Sequence, residues 1–216
     1  VGAPEARFVD SVYGQTECGT MVTGCDSEEA EAVGGRCAGR ATMYTDVSIL
    51  GEDDTELPRG VAGEIAVRGP RVMLGYYKEE RLNEEALRGG WLHTGDLGIL
   101  DQNGYLHYVG RKNELIKSGM ENVYPAEVES VLAMHPAVKE VAVIGVPDEQ
   151  WGEAVTAIVA LKSEASATAG ELAEFCKDRM AGYKKPKRVH LVDELPRDRT
   201  GRIARAELMA RYGGSA

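Results

Sequence analysis

The sequence has no apolar run long enough to cross a membrane and no excess of positive charge. Its longest apolar run, residues 141–146, has the length of a strand, whereas a membrane-spanning helix needs about 20 such residues. The 25 Lys and Arg residues are outnumbered by 35 Asp and Glu residues, so the formal net charge is −10. Because nucleic-acid-binding surfaces are usually basic, this balance argues against a nucleic-acid partner.

Paired cysteines and a signal peptide are also lacking. The four cysteines show no C-x-x-C spacing, which favours free thiols in a reducing compartment over a zinc site or a disulfide framework. The first residues, from Val1, do not resemble a signal peptide and look like the middle of a domain. A cytoplasmic protein is therefore expected.

What is present is the composition of an ordinary globular protein, with 43% hydrophobic and 28% charged residues in 216. This length allows one large or two small domains. Short alternating runs bounded by glycines fill residues 12–70 and predict a β-rich, barrel-like region. Residues 97–101 and 105–109 flank an Asn-Gly pair and predict a two-stranded hairpin.

The pattern changes after Gly110 to alternating helices and strands. Helices are predicted at residues 125–134, from the capping box that begins at Thr168, and from Ala204 towards Tyr212; strands are predicted at 138–146 and 155–161. The sequence therefore predicts an α+β protein with a β-rich domain at residues 1–110 and a small α+β domain at 111–216.

The segment Tyr13-Gly14-Gln15-Thr16-Glu17 combines a glycine turn with a hydroxyl and a carboxylate. A hydroxyl can bond a phosphate oxygen, and a carboxylate can hold Mg²⁺, which prefers one or two protein carboxylates together with phosphates. Taken alone, the same residues fit an ordinary strand and turn.

A second pair of motifs has a more informative spacing. The segment from Gly90 to Asp96 puts a carboxylate at a strand-turn junction, and Arg111 follows at the end of the predicted hairpin. The carboxylate can accept hydrogen bonds from both ribose hydroxyls, and the guanidinium can reach the same sugar or its phosphate. Individually, Asp96 fits a turn and Arg111 a surface salt bridge; their order and spacing together favour a nucleotide site.

Two further segments allow both a functional and a purely structural interpretation. In residues 116–125 a glycine among polar residues precedes a helix, where backbone can approach a ligand closely. Residues 195–205 form a cation-rich segment that turns at Gly201 and could offset charge developing on phosphate oxygens. Each could equally be an ordinary loop before a helix.

Together, these motifs resemble the adenylate-forming superfamily, which includes acyl- and aryl-CoA synthetases, adenylation domains of peptide synthetases and firefly luciferase. The resemblance extends from about Tyr13 to Leu208, and residues 120–127 look most like the CoA ligase branch. It implies two steps: a carboxylate attacks the α-phosphate of Mg-ATP to give an acyl-adenylate and pyrophosphate, and the CoA thiol then displaces AMP. The implied partners are a small-molecule carboxylic acid, ATP and CoA, with Mg²⁺ as cofactor. Many members dimerise, so a homodimer is also compatible with the resemblance.

The resemblance also implies roles for individual residues in the nucleotide site. Tyr13 and Gly14 would lie by the adenine and the acyl pocket, Thr16 would bond phosphate, and Glu17 would hold Mg²⁺. Asp96 would bind the ribose. Tyr108 and Arg111 would lie beside it.

Further residues are implied in the domain movement and the thiol step. Asn113 would be the hinge about which the small, mobile C-terminal lid rotates between the two half-reactions. The residues that would line the entrance for the pantetheine arm of CoA are Lys117, Ser118, Gly119, Met120 and Glu121. A weaker assignment gives the CoA phosphates to Lys184, Lys185 and Lys187, which also fit a solvated basic stretch.

Several features depart from the family pattern. The Gly/Ser/Thr-rich phosphate loop ending in Pro-Lys-Gly does not occur in the chain, and members are over twice as long, so we expect the C-terminal part of a longer enzyme, inactive alone. Arg202 occupies the position of the catalytic lysine, and no lysine follows Lys187. Because its planar fork does not fit a site built for an ammonium, weak adenylation is expected. Asn113 replaces the usual Asp or Lys, and Met120 replaces a usual glycine, where its side chain could narrow the pantetheine tunnel.

Two alternatives stay open beside a CoA ligase. One is an adenylation domain that loads a carrier protein. The other is a catalytically impaired protein that binds a nucleotide or acyl-adenylate, which Arg202 would favour. The sequence does not identify the acid, because the residues that build the acyl pocket in the family mostly precede Tyr13.

Overall fold

The structure is a computed structural model, and it describes residues 9–34 and 37–214. It divides the chain into two compact units, Val1–Lys112 and Asn113–Ala216. Within the described residues, no helix is both long and apolar enough to cross a membrane.

The first sheet of the first unit begins with an antiparallel hairpin of β1 (Val9–Gln15) and β2 (Gly19–Asp26), and β3 (Arg40–Ala41) pairs with β2. Helix α1 (Ser27–Val33) follows β2 directly. It begins there because Asp26 accepts a hydrogen bond from the Glu29 backbone N–H while the Glu29 side chain accepts one from the Asp26 N–H, which satisfies two otherwise unpaired donors.

The second sheet is antiparallel and carries its strands in the order β4 (Asp46–Leu50), β5 (Gly63–Arg68), β6 (Leu92–Leu100) and β7 (Leu106–Arg111). Helix α2 (Glu80–Ala86) and a 3-10 turn at Arg88–Gly90 precede β6. The core packs Ile49, Ile65 and Leu106 together, each no more than 2% exposed. The predicted hairpin is confirmed as β6 and β7.

The barrel-like form expected for this region is not closed. The two sheets adjoin through the isolated bridge between Cys37 and His107, and each has free edges within the described part of the chain. Closure would require continuous pairing around the sheet, and β3, with only two residues, cannot supply it. The α+β class itself is confirmed.

The second unit is a five-stranded mixed sheet covered by helices. Its strands are β8 (Ile116–Ser118), β9 (Glu121–Val123), β10 (Val138–Asp148), β11 (Gly152–Leu161) and β12 (Arg188–Val192), and its helices are α3 (Pro125–Ala133), α4 (Ala169–Phe175) and α5 (Arg205–Tyr212). The longest pair is the antiparallel β10–β11, in which β10 is an edge strand, and β12 lies parallel to β11. The helices and strands predicted after Gly110 are all present, whereas the short strands β8, β9 and β12 were not predicted.

Local chemistry explains where the helices of this unit start. Pro125 occupies the first turn of α3, where its missing N–H has no intrahelical partner to lose. The predicted capping box opens α4, since Thr168 and Glu171 bond each other's backbone N–H groups. Leu172 of α4 and Val128 and Leu132 of α3 are fully buried against the sheet.

Candidate functional site

The candidate site in the first unit is built on a β-bulge in β6. On one side of the bulge Glu64 pairs with Leu97, and on the other Ala66 pairs with His93. The chain therefore advances four residues along β6 over the stretch where it advances two along β5. Gly95 lies inside the bulge at φ 69°, a left-handed conformation that favours glycine. Bulges of this kind redirect side chains away from the regular ladder, and here the redirected side chain is Asp96.

Asp96 is 3% exposed, and its carboxylate is the centre of a hydrogen-bonded cluster. Oδ2 accepts from the Tyr13 hydroxyl at 2.8 Å and from Gln15 Nε2 at 2.6 Å. Arg111 pairs with Asp96 in the β6–β7 register, and its Nε lies 2.9 Å from Oδ1. That contact is an ion pair, and Oδ1 accepts no hydrogen bond from any residue that the structure describes. One carboxylate oxygen is therefore buried beside a cation and receives no hydrogen bond from the described residues.

Tyr13, which donates to this carboxylate, lies beside a second tyrosine, Tyr108. The rings of Tyr13 and Tyr108 have centroids 6.3 Å apart. Burial, together with the adjacent Asp96, raises the pKa of the Tyr13 hydroxyl far above its ordinary value. Tyr13 therefore stays protonated and donates to the carboxylate at any physiological pH.

The structure thus brings together four of the residues predicted for the nucleotide site, Tyr13, Asp96, Tyr108 and Arg111. Sequence reasoning missed Gln15 and Thr94 as members of the cluster. Thr94 Oγ1 accepts from the Asp96 N–H at 3.1 Å and donates to the Ile65 carbonyl at 2.7 Å. Both lie inside the quoted motifs, so their polar character next to the key residues was the available signal.

Thr16 and Glu17 lie in the turn between β1 and β2, where Thr16 is exposed and Glu17 partly buried. Glu17 Oε1 accepts a hydrogen bond from the Tyr76 hydroxyl at 3.0 Å, which orients the carboxylate. No group of three or more metal-ligating side chains occurs in the described ranges. A single carboxylate fits Mg²⁺ only when phosphates complete its coordination, so Glu17 suits a cation that arrives with a nucleotide.

Gly14 has a structural reason to be glycine. A Cβ at this position would lie 2.4 Å from the Gly19 carbonyl oxygen on the neighbouring strand. The close pairing of β1 with β2 therefore requires a residue without a side chain here.

A charged cluster that sequence reasoning missed lies behind the bulge. Glu64 is 6% exposed, and its carboxylate accepts from the Gly95 N–H at 3.0 Å and from Lys112 Nζ at 2.8 Å; His93 Nδ1 lies 3.3 Å away. Burial opposes ionisation, but the hydrogen bonds from Lys112, His93 and Gly95 hold the pKa of Glu64 below its ordinary value of 4.5. Glu64 is therefore a buried anion at neutral pH.

In the second unit, the residues predicted to bind CoA form the hairpin of β8 and β9. Ser118 pairs with Glu121, and the two residues between them, Gly119 and Met120, have φ values of 61° and 66°. Two left-handed residues in a two-residue loop define a type I′ turn. The Met120 side chain is fully exposed.

The turn is held by its neighbours. The Gly119 N–H donates to the Trp151 carbonyl at 2.8 Å, and the Lys117 N–H donates to Glu153 Oε2 at 2.6 Å. Ser118 Oγ is buried and has no hydrogen-bond partner among the residues described.

The predicted hinge and the lysine cluster occupy different surroundings in this unit. Asn113 lies in a 3-10 turn at Lys112–Glu114. Lys184 Nζ bonds both oxygens of Glu127, at 2.7 and 2.8 Å, while Lys187 Nζ lies 4.4 Å from the centre of the Trp151 ring. Lys184 is therefore already ion-paired and is less suited to bind a phosphate than the sequence suggested.

Arg202 projects from a short, well-defined loop. Asp198 Oδ1 accepts from the backbone N–H of Thr200 at 2.8 Å and of Arg202 at 3.0 Å, and Arg197 and Ile203 close the loop as an isolated bridge. The Arg202 side chain is exposed. The loop thus presents a cation on a fixed backbone.

Arg205, the first residue of α5, connects this helix to other segments of the second unit. Its guanidinium contacts Glu129 Oε1 at 2.9 Å and Glu114 Oε2 at 3.2 Å, and it donates to the Val143 carbonyl at 3.3 Å. These contacts join the start of α5, directly after the Arg202 loop, to the turn that contains Asn113.

Comparison with known proteins identifies the family to which this chain belongs. Residues 3–77 match the family described as AMP-binding enzyme, and residues 127–202 match the AMP-binding enzyme C-terminal domain. The chain belongs to this adenylate-forming enzyme family. Its relatives with curated names include acyl- and aryl-CoA ligases.

One relative is the long-chain-fatty-acid–CoA ligase of Escherichia coli, 41% identical over 91% of this chain and 34% of its own length. Two solved structures are of o-succinylbenzoate CoA synthetase from Bacillus subtilis. Its complex with the acyl-adenylate intermediate has a TM-score of 0.85 at 40% identity over 95% of this chain and 42% of that one. Its complex with ATP and magnesium ion has a TM-score of 0.83 at 39% identity over 92% and 40%. The chain therefore spans well under half the length of these proteins.

Proposed function

We propose that this chain forms part of an ATP-dependent acyl- or aryl-CoA ligase, in which it binds the ribose of the nucleotide and presents the residues of the thiol step. The first half-reaction would join a carboxylic acid to AMP with release of pyrophosphate. The second would transfer the acyl group from the adenylate to the CoA thiol. One observation supports the proposal: Asp96 has a buried carboxylate whose Oδ1 receives no hydrogen bond from the described residues.

The chemistry of that carboxylate suits a ribose. Its Oδ2 is saturated by Tyr13 and Gln15, so its orientation is fixed before a ligand arrives. Its Oδ1 can accept from a sugar hydroxyl, and burial strengthens such a bond because water does not compete for it. The adjacent Arg111 supplies a positive charge 2.9 Å from Oδ1 and can donate to the same sugar or its phosphate.

The phosphate side of the nucleotide would be bound at the turn that follows β1. There Thr16 would donate its hydroxyl to a phosphate oxygen. Glu17, oriented by Tyr76, would hold Mg²⁺ together with the phosphates, and the cation would reduce the charge that repels the incoming carboxylate.

The second unit would serve both half-reactions as a mobile lid that turns about Asn113. The exposed Arg202 would assist adenylation, and the β8–β9 turn at residues 117–121 would line the entrance for CoA. The acid stays unassigned, since one of the relatives reported above is named for fatty acids and another for o-succinylbenzoate.

One observation favours a second candidate, a protein that binds an adenylate without forming it efficiently. Arg202 replaces a lysine of the family pattern, and a planar guanidinium does not superpose on a compact ammonium. Misplacing a catalytic charge by about 1 Å can cost on the order of 100-fold in rate. Adenylation is therefore expected to suffer more than thioester formation.

The test is ATP–pyrophosphate exchange by the full-length product of the gene, across a panel of aliphatic and aromatic acids. The wild type is compared with Arg202→Lys, which we expect to raise exchange by up to about 100-fold. Arg211→Lys is the matched control, since Arg211 is also an exposed arginine of the same unit. The 216-residue chain by itself is expected to be silent in this assay.

Each outcome decides between the candidates. Exchange in the wild type, followed by acyl-CoA formation with the best acid, supports the ligase. Binding of AMP without exchange, with activity restored by Arg202→Lys, supports the impaired binding protein. Transfer to a carrier protein in preference to CoA would support the carrier-loading alternative. A protein that neither binds AMP nor exchanges pyrophosphate refutes all three.

A further inference from the structure

The bulge that carries Asp96 leaves backbone groups without partners in the ladder. A bulged residue cannot pair regularly with the neighbouring strand, so its N–H needs another acceptor once it is shielded from water. For Gly95 that acceptor is the side chain of Glu64, whose Oε1 lies 3.0 Å from the Gly95 nitrogen. Gly95 is the residue directly before Asp96.

We propose that Glu64 is a positioning residue for nucleotide binding: by accepting the Gly95 N–H, it holds the bulge in the form that aims Asp96 Oδ1 at the ribose. This inference rests on the proposed function, since it assigns a role to Asp96 in binding the sugar. It concerns a residue on β5, one strand away from the cluster around Asp96.

The geometry separates Glu64 from the ribose side of the site. Glu64 contacts the backbone of the bulge, whereas the Asp96 carboxylate accepts its hydrogen bonds from Tyr13 and Gln15 of β1. Thr94 supports the same bulge by accepting the Asp96 N–H. Glu64 and Thr94 thus fix consecutive backbone N–H groups, and with them the direction in which the Asp96 side chain leaves the strand.

The charge of Glu64 is explained by its second partner. A buried carboxylate without a counter-ion is strongly destabilising, and Lys112 Nζ at 2.8 Å supplies the opposite charge. Lys112 is 46% exposed and follows Arg111, the ion-pair partner of Asp96. Two ion pairs therefore form side by side, Asp96 with Arg111 and Glu64 with Lys112, and both brace the β6–β7 end of the sheet.

The experiment compares two variants of equal size, Glu64→Gln and Glu64→Met. Both lose the charge, but only glutamine keeps an oxygen that can accept the Gly95 N–H. The readout is the ratio of dissociation constants for AMP and 2′-deoxy-AMP, measured by calorimetry on the full-length product. This ratio reports the bond to the ribose hydroxyl, and it does not change when a variant only lowers the fraction of folded protein.

We expect Glu64→Gln to retain most of the wild-type preference for AMP over 2′-deoxy-AMP. Glu64→Met should reduce this preference about tenfold, the size of one hydrogen bond to a charged group. Glu56→Gln, which changes an exposed carboxylate before the same strand, is the control and is expected to match the wild type. If Glu64→Met does not fold, Glu64→Asp replaces it, because the shorter side chain withdraws its oxygens from Gly95.

The two failures are distinguishable. A wild type that binds AMP and 2′-deoxy-AMP equally has no ribose contact at Asp96, so the proposed function fails in that part and the role of Glu64 falls with it. The other case is a wild type that prefers AMP to 2′-deoxy-AMP while Glu64→Met and Glu64→Gln lose this preference equally, or both keep it. That result overturns the role of Glu64 and leaves the proposed function standing.

Discussion

The turn between β8 and β9 offers a quantitative test of the structure through Met120→Gly. Met120 is the second residue of a type I′ turn, at φ 66°, and its side chain is fully exposed. Holding a residue other than glycine in the left-handed region costs roughly 1–2 kcal/mol. No packing is lost with the side chain, so the only opposing contribution is the greater backbone entropy of glycine in the unfolded chain, about 0.5–1 kcal/mol.

The difference between the midpoints of these two ranges predicts that Met120→Gly raises the free energy of unfolding by about 0.75 kcal/mol, or about 0.5–1 kcal/mol when low is paired with low and high with high. For a unit of this size, a gain of 1 kcal/mol shifts the midpoint of thermal unfolding by about 4–8 °C. The expected shift is therefore about 2–8 °C upwards, measured on the chain by circular dichroism and confirmed by urea titration.

Two controls isolate the backbone contribution. Met120→Ala removes the same exposed side chain but keeps the left-handed strain, so no gain is expected. Met120→Asn should recover part of the gain, because asparagine tolerates this conformation better than other residues. A gain in Met120→Ala equal to that in Met120→Gly would refute the reasoning. In the full-length product the same glycine variant tests the narrowed CoA entrance, and an unchanged Michaelis constant for CoA would remove that hypothesis.

Two further predictions concern the ion pairs. Arg205→Met leaves Glu114 and Glu129 without their shared cation and should lower the free energy of unfolding by about 1–3 kcal/mol in urea titration, whereas an unchanged midpoint would show that the network contributes nothing. The pKa of Glu64 is lower in the folded state than its ordinary value of 4.5, so the ionised carboxylate stabilises the fold at any pH above 4.5. This stabilisation is lost as the pH falls through the folded-state pKa. Acid titration should therefore destabilise the wild type more steeply than Glu64→Gln below pH 4.5, and parallel curves would contradict this assignment.

Local patterns were sufficient for most of the secondary structure. The Asn-Gly turn, the capping box at Thr168 and the proline at the start of α3 each encode a boundary in a few neighbouring residues, and all three are found. The short strands β8, β9 and β12 escaped prediction because strands of three to five residues carry too little alternation to be recognised. The open arrangement of the first two sheets depends on pairing between distant segments, which no local pattern encodes.

The candidate site divides in the same way. Asp96 and Arg111 could be related from the sequence because a hairpin turn brings its two strands into register, and the pair is found opposite each other. The burial of Glu64 and its role at the bulge could not be predicted, because nothing in the sequence of its strand distinguishes a buried charged residue from an exposed one. Its partners Gly95 and Lys112 lie 31 and 48 residues further along the chain.

The sequence by itself determined the family and the α+β class and indicated the polar groups that we propose bind a nucleotide, since these reside in short motifs whose chemistry is local. Only the tertiary structure decided which oxygen of Asp96 receives no hydrogen bond from the described residues, that Lys184 is already paired with Glu127, and that Glu64 is a buried anion. The physical reason is that burial and charge compensation depend on segments brought together by the sheet. A residue's neighbours in space, and not its neighbours in the chain, set its exposure to water and the partners of its charge.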